Sequence, residues 1–263
     1  MSSSIQVEQV HKTFMKPTGE TVHAVGGIDM DLRPGTFYSF VGPSGCGKTT
    51  MLHMIHGLLP PTKGRILLDG MEVTGPTPNK AVVFQQALLL PWRNVTDNIK
   101  FGLENDGTKT STERMEICDK YTQIVGLRGF ESHYPHELSG GMQQRVNLAR
   151  ALAVNPEILL MDEPFASLDA QTRLLMQEEL QRMVDWKNSG KIVIFVTHDI
   201  EEAVFLSDIV FCFSFRPGTI MKEIKVPFPT PRTLRVKEEP EFLQIKHDIW
   251  ELLADEARKA MEE

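Results

Sequence analysis

No run of about 18 consecutive apolar residues occurs in the sequence, so no bilayer-spanning helix is expected. Positive charge is also in short supply. Lys and Arg number 28 against 35 Asp and Glu, a formal net charge of −7. Nucleic acid is therefore not expected as a partner, since a basic stripe is its usual footprint. Cysteine is scarcer still: Cys46, Cys118 and Cys212 are odd in number and lie 72 and 94 residues apart. They form neither a paired disulfide framework nor a zinc-ligand spacing, and a reducing cytosol is the simplest compartment for them. Residues 1–5 lack the basic and apolar regions of a signal peptide. No repeat at solenoid periods is present. What remains is ordinary for a globular chain, with 41% hydrophobic and 24% charged residues. Its 263 residues suffice for one large or two small α/β domains with a sizeable core.

Apolar, β-branched runs predict strands over 5–10, 37–41, 65–68, 81–84, 158–161, 192–197 and 209–213. The runs at 158–161 and 192–196 are continuously apolar, as in central strands of a parallel sheet covered on both faces. Helical spacing appears between them, as in 143–152 and 170–186. Strand alternating with helix predicts an α/β fold with a parallel core sheet. The first 35 residues, with short strand-like pieces and Gly/Pro turns, predict a small antiparallel layer. Residues 92–156 carry almost no strand pattern and read as a helical insertion. Pro227, Pro229 and Pro231 mark a connector before a last helix near 241–261, which places Phe242, Ile245, Ile249, Leu252 and Leu253 on one face. That divides the chain into a main domain, 5–226, and a connector with its C-terminal helix, 227–263. The polar face of that helix carries acids rather than a basic stripe, so it is expected to dock on its own domain.

Gly42-Pro43-Ser44-Gly45-Cys46-Gly47-Lys48-Thr49 matches G-x-x-x-x-G-K-[ST], after a predicted strand and before an apolar helical run over 51–59, and the loop with the adjoining Thr50 is expected to bind phosphate groups. Glycines at these positions let successive N–H groups face one anion, and the following helix directs its positive end at the same place. Lys48 is expected to reach the β- and γ-phosphates, and Thr49 to offer its hydroxyl to Mg²⁺. Cys46 is either a thiol activated near a helix start or, more simply, a small filler whose side chain points away. A second site follows the strand 158–161, where Asp162 and Glu163 stand at its carboxyl end. Ligands of open α/β sheets bind there. Asp162 is expected to hold Mg²⁺, and Glu163 to act as general base or to orient the attacking water.

Leu138-Ser139-Gly140-Gly141-Met142-Gln143-Gln144-Arg145 resembles the signature motif of ABC ATPases. Together with the phosphate loop and Asp162-Glu163 it is far more specific than any one motif. The resemblance covers roughly residues 5–225 and implies a P-loop NTPase fold of the ABC type, an ATPase with ATP and Mg²⁺ as its cofactors. Gln85 then matches the Q-loop, which implies a contact to Mg²⁺ and the γ-phosphate. Ser167-Leu168-Asp169 matches the D-loop, and His198 the switch histidine. Phe14 sits where the family places an aromatic under the adenine, although on its own residues it reads equally as core. A lone histidine is usually an ordinary one, but the position of His198 after a buried strand and next to Asp199 favours a contact with the γ-phosphate. Met142 departs from the family's usual Gln but leaves Ser139, Gly140 and Gly141 intact. Ser139 is also a sound helix N-cap, and the helix end it opens is a second anion site. The resemblance implies that two subunits pack head to tail, each signature capping the nucleotide of the other.

No long coiled coil and no second ATPase half is present, which sets aside the chromosome, repair and translation members of the family. Residues 87–95, Ala-Leu-Leu-Leu-Pro-Trp-Arg-Asn-Val, resemble the nitrate, sulfonate and taurine importer branch, as do Pro231-Arg232 and Pro240-Glu241-Phe242. That implies an importer ATPase on the cytoplasmic face of the membrane. It would work with separate permease subunits and, indirectly, an extracytoplasmic solute-binding protein. Leu88 and Trp92 are expected either to line a groove for a permease helix or to be core of the insertion. The alternative function is a soluble ABC-type ATPase that remodels a macromolecule.

Overall fold

The computed structural model describes residues 3–104 and 106–262. In chain order the strands are β1 (Ile5–Met15), β2 (Thr21–Leu32), β3 (Thr36–Val41), β4 (Lys63–Leu68), β5 (Met71–Glu72), β6 (Lys80–Val83), β7 (Ile158–Asp162), β8 (Ile192–Val196), β9 (Ile209–Phe213) and β10 (Ile220–Lys225). The helices are α1 (Lys48–His56), α2 (Val95–Lys100), α3 (Ser111–Ile124), α4 (Gly140–Ala153), α5 (Ala170–Val184), α6 (Trp186–Ser189), α7 (Ile200–Leu206) and α8 (Pro240–Glu262).

Two sheets form. One has the order β10-β9-β3-β8-β7-β6, and the other β2-β1-β4-β5. In the first, β9, β3, β8, β7 and β6 run parallel, with Phe40 opposite Val196 and Asp162 opposite that same Val196. Every residue of β7 and β8 is buried, because alternate side chains enter two different cores. Ile192, Ile194 and Val196 pack with Tyr38, Phe40 and α1 beneath the antiparallel layer. Val193 and Phe195 face the other way, with Leu159, Met161 and residues of α4, α5 and α7. Full burial of one such side chain contributes about 1.5–3 kcal/mol, so the central strands anchor both layers.

The structure corrects the sequence reading in several places. The parallel core sheet is as expected but carries one strand that was not predicted: β10 joins β9 antiparallel as an edge strand. Its half-exposed Ile-Met-Lys-Glu-Ile-Lys run lacks the apolar density that marks the central strands. The antiparallel layer extends beyond the first 35 residues, since β4 pairs with β1. β1 and β2 are long strands of 11 and 12 residues rather than short pieces; Gly26, Gly27, Asp29 and Asp31 thin the pattern of β2. The helix expected over 170–186 stops at Val184, because Asp185 turns into a left-handed conformation at φ 38°.

Between β6 and β7 the regular elements are helices only. After β10 the chain returns through the prolines to α8, where Phe242 and Ile249 are fully buried in the α-helical core and Ile245 and Leu252 pack beside them. Arg232 of that connector is buried and donates to the carbonyls of Val204, Phe205 and Ser207 at 2.9–3.0 Å, closing the end of α7. Burial pulls its guanidinium down to about 10. Among the described residues no helix is long and apolar enough to cross a membrane.

Candidate nucleotide site

The order β3-β8-β7-β6 brings four carboxyl ends side by side. The phosphate loop leaves β3, His198 follows β8, Asp162 and Glu163 close β7, and Gln85 follows β6. Thr49 and Asp162, 113 positions apart in sequence, meet because parallel strands put like ends together.

A cleft of about 490 Å³ opens there, walled by Phe14, residues 44–50, Gln85, Glu163, His198 and Arg216. Gly47 starts α1 at φ 99°, and a Cβ there would sit 2.6 Å from the Ala24 carbonyl oxygen. Only glycine permits both the turn and that approach. Lys48 is buried, and its Nζ donates to the carbonyls of Gly42 (2.7 Å) and Pro43 (2.9 Å). Gly42 and Pro43 thus support the lysine and do not form the cleft wall. Cys46 is fully buried, with its Sγ 3.6 Å from Lys48 Nζ. Burial pushes the thiol up, the nearby ammonium opposing.

Thr49 Oγ1 donates to Asp162 Oδ1 at 2.9 Å, which closes the distance between the loop and the strand end. Burial pushes the Asp162 carboxyl up against the pull of that hydroxyl. Glu163 takes a left-handed φ of 44°, unusual outside glycine and a strain that recurs at functional positions. Its amide N–H donates to the Val196 carbonyl at 2.9 Å. The carboxylate lies between two cleft residues: Gln85 Nε2 donates to Oε2 at 3.3 Å, and His198 Nδ1 stands 3.1 Å from Oε1. The segment carrying His198 is tied from behind. Thr197 Oγ1 donates to buried Glu202 at 2.8 Å and accepts the Asp199 N–H at 3.0 Å. Burial pushes the Glu202 carboxyl up, so the hydroxyl and Gln177 Nε2 (3.0 Å) serve it as partners.

Ser139, Gly140, Gly141 and Asp169 do not line this cleft. Ser139 caps α4, its Oγ accepting from the Met142 N–H at 3.3 Å, and Asp169 caps α5 through the Thr172 N–H at 3.0 Å. Ser139, Gly140 and Asp169 are exposed. Arg216, Val22 and Ala24 also line the cleft, and none of them stood out in the sequence. A basic Arg-Pro-Gly turn just beyond the predicted strand 209–213 was the available signal. Trp92 and Leu88 are exposed, Trp92 at 71%, so neither is core of the insertion.

A glycine-rich loop feeding a helix, with a buried lysine and two acids at the end of a parallel strand two places along the sheet, defines a P-loop nucleotide-binding protein. The ABC transporter family matches residues 25–166, and the chain belongs to it. An uncharacterized ABC transporter ATP-binding protein of Methanocaldococcus jannaschii is 48% identical over 99% of this chain and 95% of its own length. The nitrate import ATP-binding protein NrtD of Synechocystis is 43% identical, with 95% and 94% covered. The taurine import ATP-binding protein TauB of Roseobacter denitrificans is 39% identical, with 98% and 97% covered. A solved dimeric ATP-binding cassette, in a post-hydrolysis state with ADP and Pi, superimposes at a TM-score of 0.76 with 31% identity over 86% of this chain and all of its own. The chain is an ATP-binding protein and an ATPase.

Proposed function

We propose that this chain is the ATP-hydrolysing subunit of an importer that takes up a small solute, with nitrate, a sulfonate or taurine as the candidate class. The carrying observation is the contact of Glu163 with both Gln85 and His198 in the cleft that holds Lys48 and Thr49. A carboxylate so placed accepts the proton of the attacking water, while the glutamine and histidine orient that water and the γ-phosphate. Lys48 and the N–H groups of residues 44–50 bind the polyphosphate, Phe14 stacks on the adenine, and Lys48 meets the charge that builds during transfer.

Thr49 and Asp162, with Gln85 nearby, would hold Mg²⁺. A buried carboxylate whose polar partner is a hydroxyl suits a small divalent cation. Bound there, the ion would offset charge on the β- and γ-phosphates.

Ser139, Gly140, Gly141 and Asp169 lie on the same chain but outside its cleft. Their proposed place is over the nucleotide of a second copy, in a head-to-tail, ATP-dependent homodimer. Trp92 and Leu88, exposed just after the Gln85 segment, form the proposed docking surface for an integral permease. That places the subunit peripherally on the cytoplasmic face of the membrane, with a solute-binding protein acting from the other side. Co-expression with the permease and binding protein tests the assignment: solute-loaded binding protein is expected to raise ATP hydrolysis in proteoliposomes. Hydrolysis that ignores the permease and responds instead to a macromolecule would overturn it.

A further inference from the structure

Besides Lys48, the cleft wall carries one more permanent cation, Arg216, on the turn between β9 and β10. Its Nε–H donates to the carbonyl of Gly45, within the phosphate loop, at 3.0 Å. A Cβ on Gly45 would lie 2.8 Å from Arg216 Nη2, so the guanidinium rests directly on the loop. Among the described residues it pairs with no carboxylate, and the Phe215 ring lies 6.0 Å from its Cζ. A guanidinium stays charged at any working pH and presents a planar fork suited to phosphate oxygens. An exposed, uncompensated one at the rim of a polyphosphate cleft has an anion as its natural partner.

The turn that carries Arg216 is held from two sides. On one side, the Gly218 N–H donates to the Ala24 carbonyl at 3.1 Å and the Gly26 N–H to the Gly218 carbonyl at 3.0 Å. On the other, the Phe215 N–H donates to Glu256 Oε2 at 2.6 Å, 41 residues away in sequence. Glu256 belongs to α8, is 6% exposed, and takes Lys259 Nζ on its other oxygen at 2.5 Å. One carboxylate of the C-terminal helix therefore fastens the residue immediately before Arg216.

We propose that Arg216 is a nucleotide-positioning residue, bracing the phosphate loop at Gly45 and facing the bound polyphosphate, and that Glu256 holds it there so that α8 sets nucleotide affinity. This rests on the reading of the cleft as the ATP site. Loss of the cation removes a charge-assisted contact from binding, whereas the water-activating residues are untouched. The effect belongs in affinity rather than turnover.

The test is equilibrium binding of a fluorescent ATP analogue to the purified full chain, with steady-state hydrolysis and melting temperature measured alongside. Arg216→Ala is expected to raise Kd and KM about tenfold with kcat changed less than about twofold, and Arg216→Lys to recover part of the loss. Glu256→Ala is expected to raise KM about threefold. Glu256→Gln should stay near wild type, because its amide oxygen still accepts the Phe215 N–H. The double variant Arg216→Ala with Glu256→Ala should match Arg216→Ala alone, since both act through one contact. Wild-type Kd and KM in Arg216→Ala would overturn the proposal. So would a Glu256→Ala effect that adds in full to it, or a KM change in Glu256→Gln as large as in Glu256→Ala. Lys48→Ala separates the two levels. Unchanged binding there would overturn the ATP reading of the cleft and this inference with it. Lost binding there, beside a silent Arg216→Ala, would overturn the role of Arg216 alone.

Discussion

His198 Nδ1 lies 3.1 Å from Glu163 Oε1, so the second residue after β8 and the first after β7 meet at the cleft. Gln85 approaches the other carboxylate oxygen. The three strand ends thus converge on one group, and that group is expected to handle the proton of the attacking water.

Glu163→Gln is expected to lower kcat by about 10²-fold or more, the usual range for a lost general base, while ATP affinity stays within about threefold. The amide keeps the size and part of the hydrogen bonding to Gln85 and His198, so binding survives and proton acceptance does not. Single-turnover hydrolysis set beside equilibrium ATP binding checks this; parallel loss of both would point to a binding role instead.

Lys48→Ala is expected to abolish hydrolysis and weaken ATP binding strongly. Lys48 is the buried cation at the loop, and its proposed role is to complement the most concentrated charge of the nucleotide. Calorimetric titration with ATP measures the loss directly, and near wild-type affinity would contradict the phosphate-loop assignment.

Trp92→Ala is expected to leave stability within about 0.5 kcal/mol, as for most surface substitutions. A buried tryptophan would cost about 3–5 kcal/mol. With Trp92 71% exposed, the expected loss is in co-purification with the permease and in transport, with basal hydrolysis unchanged. Full transport by this variant would remove Trp92 from the docking surface.

His56 gives the fold a pH dependence. Burial, with Lys80 and His53 nearby, pulls its imidazole from 6.5 down to about 4. The folded state therefore prefers the neutral ring, and the unfolded chain binds a proton more readily. The stability this contributes is complete above pH 6.5 and is lost as pH falls towards 4, by at most about 3 kcal/mol. Denaturant melts from pH 7 to 5 should fall more steeply in wild type than in His56→Gln, and equal slopes would count against it.

Much of this was legible in the residues. Residues 158–161 and 192–196 are apolar without interruption because both of their faces are buried, and the phosphate loop declares itself because its chemistry demands glycines and a lysine in fixed order. β10 was not legible, since an edge strand needs only one apolar side and Lys222, Glu223 and Lys225 dilute it. Arg216 was not legible as a cleft residue either: nothing local says that the turn after β9 folds back on Gly45. That is decided by β3 and β9 being neighbours, with Val41 opposite Cys212. The exposure of Trp92 was equally open in sequence, where an apolar Leu-Leu-Leu-Pro-Trp run suits a core as well as a surface.

One nucleotide is proposed to need two copies of this chain, because Ser139 and its glycines lie outside their own cleft. Light scattering of Glu163→Gln with and without MgATP tests it most directly. A monomer is expected without nucleotide and a doubled mass with it, abolished by adding Ser139→Arg, which crowds the partner's phosphate. A mass that stays monomeric at saturating MgATP, or a dimer indifferent to Ser139→Arg, would contradict it.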